Sequence, residues 1–172
     1  MSDRKSEAEI PTLISDPTEL AEKEAANALE QFDWAIEETE RWLAEGKPTL
    51  RVSMLLTLHR KALDGIDRHA GNFRPAAVTI RGSKHNPVSG DDVARYVEEM
   101  LDYVIENWDE QTAIHLSSYI MWRLNWIHPF ADGNGLHVED AILHGVVRSS
   151  WTNFARHEDD SGTNLGKQAA LL

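Results

Sequence analysis

From Ser15 onward the apolar residues recur at intervals of three, four or seven, the spacing that lines one side of an α-helix. Ser15, Asp16 and Pro17 form a helix start, with a side-chain acceptor for free N–H groups and a proline where no N–H is needed. Ala25, Leu29, Phe32, Ile36 and Leu43 then share one face of a helix predicted to run to about Ala44, ended by Gly46, Lys47 and Pro48. Thr49 is placed to cap a second helix, in which Val52, Leu55, Leu56, His59 and Leu63 share a side. Between Gly71 and Pro87 the period shortens. Ala76, Val78 and Ile80 alternate with less apolar neighbours, and Arg81-Gly82-Ser83 reads as a turn, so a short β-hairpin is predicted. Ser89 and Asp92 have the spacing of a capping box, and Val93, Val97, Met100, Val104 and Trp108 give a third helix its inner stripe. A fourth helix, from Gln111 to about Trp126, keeps Leu116, Ile120 and Leu124 apolar and mixes residue types elsewhere, the pattern of a helix at the centre of a bundle. Ala141, Ile142, Val146 and Val147 allow one more helix, and from His157 the chain is polar and loop-like. The expected organisation is a disordered tail over 1–14, one domain over 15–150 and an irregular tail over 151–172.

Composition changes this picture little but narrows the function. The 172 residues suit one domain with its own core, and 41% hydrophobic with 27% charged residues is ordinary for a folded protein. There is no cysteine, which removes disulfides and thiolate chemistry. The start is polar and acidic and no long apolar run follows, so no signal peptide or membrane span is expected and the location is expected to be cytoplasmic. A formal net charge of −12 repels nucleic acid and anionic membrane. Any phosphate must therefore be held locally.

The stretch HPFADGNG at 128–135 offers such a place. Gly133, Asn134 and Gly135 can expose successive backbone N–H groups to an anion, and a helix opening there would add its positive end. Asp132 beside a phosphate suits Mg²⁺, which favours a carboxylate plus phosphate oxygens. His128 can take a proton from an attacking hydroxyl. Against this, D-G-N-G is also an ordinary turn, and a histidine before proline is often structural. A metal cluster of His128, Asp132, His137 and His144 matches no common zinc spacing. The tryptophans at helical spacing read as core.

HPFADGNG, preceded by a nearly apolar helix and by GNFR with a short hairpin, resembles the Fic domain, whose signature is H-P-F-x-(D/E)-G-N-G-R-x-x-R. The similarity covers roughly Thr18 to Gly135 and includes LLTLHRKALDGI. The resemblance implies an all-α bundle with a β-hairpin flap, and transfer of AMP from ATP to a hydroxyl of a target protein. It implies His128 as general base, Asp132 as the Mg²⁺ ligand, and Gly133, Asn134 and Gly135 as the cradle for the α-phosphate region. The flap, about Ala76 to Pro87 with Val78, Thr79 and Ile80 on its edge, would align the target by adding a strand. Relatives that move phosphate or phosphocholine, and an inactive interaction module on the same fold, are the alternatives.

The chain departs from the signature just beyond the match. Leu136 and Glu139 stand where the family places arginines, and a glutamate there replaces attraction of phosphate by repulsion, on the order of 1 to 4 kcal/mol for a close pair. Weakened ATP binding is expected. The inhibitory pattern S/T-x-x-x-E-G/N is not completed, because Leu20 follows Ser15…Glu19 and Lys23 follows Thr18…Glu22. A shifted reading frame permits T-S-R from His137, Val138 and Glu139. Across Ala155 to Asn164 it permits P-G-T-K-T-I-P-E-Q-I, similar to a segment beyond the motif in some Fic proteins. The expectation is a change of frame after about Gly135 with truncation, leaving a marginal fold with exposed apolar surface.

Overall fold

A computed structural model describes residues 13–46, 48–80 and 83–134. The last predicted helix, Gly135 and the positions of Leu136 and Glu139 lie outside these residues, as do the turn residues Arg81 and Gly82 and most of the N-terminal tail. Four helices follow in order: α1 (Pro17–Glu45), α2 (Val52–Leu63), α3 (Val93–Glu106) and α4 (Ala113–Ile127), with a 3₁₀ turn over Gly90–Asp92. Among the described residues the chain is all-helical.

Helix α1 begins where the sequence predicts, with the Asp16 carboxylate accepting from Thr18 N and Glu19 N, each at 2.9 Å. It ends at Gly46, whose φ of 75° is left-handed and suits glycine. Its buried face is the surprise. Leu29 and Phe32 of the expected inner stripe are exposed, at 68% and 48%, and the residues turned inward are Asn27, Gln31, Ala35, Thr39 and Trp42. The reason lies on α2. A helix leaves its last carbonyls without intrahelical donors, and Asn27 Nδ2 reaches Ala62 O at 3.1 Å and Asp64 O at 2.8 Å. One turn further along, Gln31 Nε2 donates to Leu58 O at 3.1 Å. The buried Asn27 and Gln31 amides find their acceptors only on this side of α1, and a polar group left unpaired in the interior costs about 1–3 kcal/mol.

Helix α2 has no side-chain cap from Thr49; its N-cap is Arg51, in extended conformation. It buries Leu55, Leu58 and His59. The Ser89–Asp92 box is likewise not formed by side chains: Asp92 N donates to Ser89 O at 3.1 Å, and the Asp92 carboxylate pairs with Arg95 at 3.0 Å. The inner stripe of α3 is as predicted for Val93, Val97, Met100 and Val104, all buried, while Trp108, also buried, lies just beyond the helix end. Each such fully buried side chain contributes about 1.5–3 kcal/mol. Helix α4, capped by Thr112, whose hydroxyl accepts from His115 N at 3.2 Å, buries Leu116, Ile120, Leu124 and Ile127 against it. It is not enclosed on every side as its composition suggests: Ile114, Met121 and Trp122 are exposed.

The predicted hairpin does not take the form of paired strands among the described residues. Ser83 N donates to Ile80 O at 3.1 Å, and no other backbone bond joins the two arms. The arms are instead fastened to the helical body one by one, through Arg74 and His85. No helix among the described residues is long and apolar enough to cross a membrane.

Candidate functional site

The loop that follows α4 is fixed at four places. At its start, His128 N donates to Leu124 O at 2.8 Å and His128 adopts φ 51°, a left-handed conformation uncommon for a side chain of its size. This turn ends the helix and places the imidazole at its C-terminal edge. Across the loop, Asn134 clasps Phe130 twice: its Oδ1 accepts from Phe130 N at 2.8 Å and its Nδ2 donates to Phe130 O at 2.6 Å. Phe130, 1% exposed, plugs the core.

Beneath the loop lies Arg74, 2% exposed. Its backbone N donates to Pro129 O at 2.9 Å, its Nε to His128 O at 2.7 Å and its Nη1 to Ala76 O at 2.7 Å. Its Nη2 donates to Val88 O and lies 3.4 Å from Ile127 O. One guanidinium thus joins both ends of segment 76–88 to the end of α4. Among the described residues it forms no ion pair, and its side-chain partners there are carbonyl oxygens. Segment 76–88 is pinned once more: His85 Nε2 donates to Trp126 O at 2.8 Å, with the His85 and Trp126 rings 6.3 Å apart.

Beside the loop, on α2, stands His59, 1% exposed. Its ring stacks on Phe130 at 3.7 Å and 5°. Nδ1 accepts from Gly71 N at 2.9 Å, and Nε2 is 3.1 Å from Asp132 O. Burial pushes its pKa below the ordinary histidine value, outweighing the pull of the nearby carboxylates, so the ring is neutral.

The candidate residues of the sequence divide accordingly. His128 is half-buried, and its Nδ1 is inaccessible and without a partner among the described residues. Burial first, then the Arg74 cation and His85, hold its imidazole below the usual histidine range. Asp132 is exposed, and its Oδ1 accepts from Gly133 N at 2.7 Å. Gly133 has φ 73°, a left-handed conformation that favours glycine, and a Cβ there would stand 3.0 Å from Leu63 Cδ1 and 3.3 Å from His59 Nε2, closer than side chains usually pack. Asn134 closes the loop with its side chain. Val78 and Ile80 are half-buried and Thr79 is exposed. Among the described residues no three histidine, aspartate or glutamate side chains gather as a metal cluster. Sequence reasoning passed over His59 and Arg74. A histidine on the apolar side of α2 and the arginine closing GNFR were the available signals.

Residues 49–137, just over half of the chain, match the family model described as the Fic/DOC family. This chain belongs to the Fic/DOC family. The Fic fold is also found in solved structures at low identity. A Fic domain containing signaling protein from Bacteroides thetaiotaomicron superposes with a TM-score of 0.64 at 17% identity, over 79% of this chain and 51% of that one. A Fic family protein from Desulfovibrio desulfuricans gives 0.59 at 24% identity, over 78% and 38%. The N-terminal Fic domain of a VirB-translocated Bep effector from Bartonella quintana, solved with ADP bound, gives 0.56 at 15% identity, over 86% and 75%. The Fic chain described here spans about half of the first of these proteins and less of the second.

Proposed function

We propose that this Fic-domain chain descends from, and retains the site of, an enzyme that transfers AMP from ATP to a hydroxyl of a target protein, acting in the cytoplasm. The observation that carries this reading is the place of His128 at the end of α4, its Nδ1 buried and without a partner among the described residues, with burial holding its imidazole below the usual histidine range. A neutral imidazole is the form able to accept a proton. The target hydroxyl oxygen would bond to the α-phosphorus as its proton passes to His128 and pyrophosphate departs. The ADP-bound relative supports a nucleotide in this fold.

The residues present suit Mg²⁺ in one respect: Asp132 is an exposed carboxylate at the loop, and Mg²⁺ bound with phosphate needs only one or two. Such an ion would neutralise charge on the phosphates. Gly133 and Asn134 form the cradle with Gly135. The segment around Val78, Thr79 and Ile80 presents the target, its ends held by Arg74 relative to His128. Incubation with Mg²⁺ and ATP, followed by mass spectrometry, is expected to show a gain of one AMP on the protein itself or its target, lost in His128→Ala. Labelling that survives this substitution would sink the reading.

Leu136 and Glu139 favour a second reading, in which nucleotide chemistry is weak or absent and the fold serves as an interaction module. A change of reading frame after about Gly135 would account for both residues. Resequencing the gene across codons 134 to 137 tests it: one base added or removed should yield Arg-x-x-Arg and a continuing open frame. A sound frame makes Leu136 and Glu139 native and removes the frame argument.

A further inference from the structure

We propose that His59 is the positioning residue of this site, fixing from within the core the orientation of the peptide between Asp132 and Gly133. The proposal rests on the reading above only in what that peptide then meets, Mg²⁺ and phosphate. Its geometry stands independently.

Two bonds decide the state of the ring. A backbone N–H can only donate, so Gly71 N at 2.9 Å makes Nδ1 an acceptor and leaves the ring hydrogen on Nε2. Nε2 therefore donates to Asp132 O at 3.1 Å. The stack on Phe130, whose own backbone is clasped by Asn134, prevents the ring from turning. One tautomer and one ring plane satisfy all three contacts at once.

The consequence follows from the planarity of a trans peptide, in which C=O and N–H point opposite ways. With Asp132 O drawn inward to His59, Gly133 N–H is turned outward, toward the exposed Asp132 carboxylate that caps it at 2.7 Å. The missing Cβ of Gly133 lets the loop settle directly on Nε2. The carboxylate and the amide are thereby offered together on the outer side of the loop. A cation drawing the carboxylate away would free the amide for an anion.

Two substitutions separate the two ends of the ring. In His59→Asn the amide oxygen falls where Nδ1 stood and keeps Gly71, but nothing reaches Asp132. In His59→Gln the amide nitrogen falls where Nε2 stood and keeps Asp132. We expect amide exchange at Gly133 in the nucleotide-free protein to quicken about five- to tenfold in His59→Asn, the scale of one buried hydrogen bond. In His59→Gln it should return to within about threefold of wild type. The dissociation constant for Mg·ADP should follow the same order. Equal exchange at Gly133 in wild type and His59→Asn, or equal loss in both variants, would overturn the proposal. If either variant does not fold, nitrogen NMR of the wild-type ring decides: hydrogen on Nε2 supports the proposal and hydrogen on Nδ1 overturns it. Failure of the wild-type chain to bind Mg·ADP would count against the nucleotide reading alone, because the exchange measurement needs no ligand.

Discussion

His59 and His128 are both histidines that the fold keeps neutral, and neither owes this chiefly to a charged partner. Burial dominates in each, and the Arg74 cation adds to it at His128. Because both pKa values are lower in the folded chain than the ordinary 6.5, the unfolded chain takes up protons first as the pH falls. Stability is therefore complete above about pH 6.5 and declines below it, by up to about 1.4 kcal/mol per pH unit for the fully buried His59 and less for half-buried His128. Urea unfolding at about pH 7.5 and about pH 5.5, a range in which histidine is the main group to titrate, should show a lower midpoint at the acid end. His59→Gln should flatten that dependence. A midpoint independent of pH would mean that both rings gain protons in the native state. The residue scale is also where the sequence was least legible. His59 bonds a carbonyl 73 positions away and Arg74 one 54 positions away, and the acceptors are backbone oxygens that leave no mark in the sequence. His128, Asp132 and Gly133 could be proposed from the sequence because they lie together in one short stretch.

At the scale of elements, legibility depended on what each helix packs against. On α3 the apolar stripe and the buried stripe coincide, because the opposing surface is made of side chains from α4 and the rest of the core. On α1 they diverge, because the opposing surface is partly the bare carbonyls at the end of α2. Asn27→Ala should thus cost about 0.5–1.5 kcal/mol, the net worth of its part-buried bonds to Ala62 O and Asp64 O. Leu29→Glu, at a position hydropathy assigns to the core, should change stability by less than about 0.5 kcal/mol. Chemical denaturation of the two variants checks this, and a greater loss in Leu29→Glu would restore the hydropathic face. Paired strands of a hairpin are not seen among the described residues for a related reason. Alternation between Ala76 and Ile80 reads as a strand, but the carbonyls at the ends of the segment belong to Arg74 rather than to a ladder.

Seen whole, the molecule pairs α1 with α2 and α3 with α4, and places its loop chemistry where the second pair meets the first. Phe130 enters this seam, with His59 of α2 on one face and Phe73 5.8 Å away. The family assignment and the helical body were legible because they rest on a contiguous motif and on periodicity. Leu136 and Glu139, where the chain departs from the Fic signature, lie just inside and just beyond the end of the family match. Arg74 has a final consequence of a different kind. All of its partners are backbone oxygens, so replacing the side chain at Ala76, Val88, Ile127 or His128 leaves each acceptor in place. The joint is a lock with one key and no matching wards. Drift at the other four positions leaves the joint's acceptors unchanged, and the hereditary fragility of the crossing itself is gathered into a single codon.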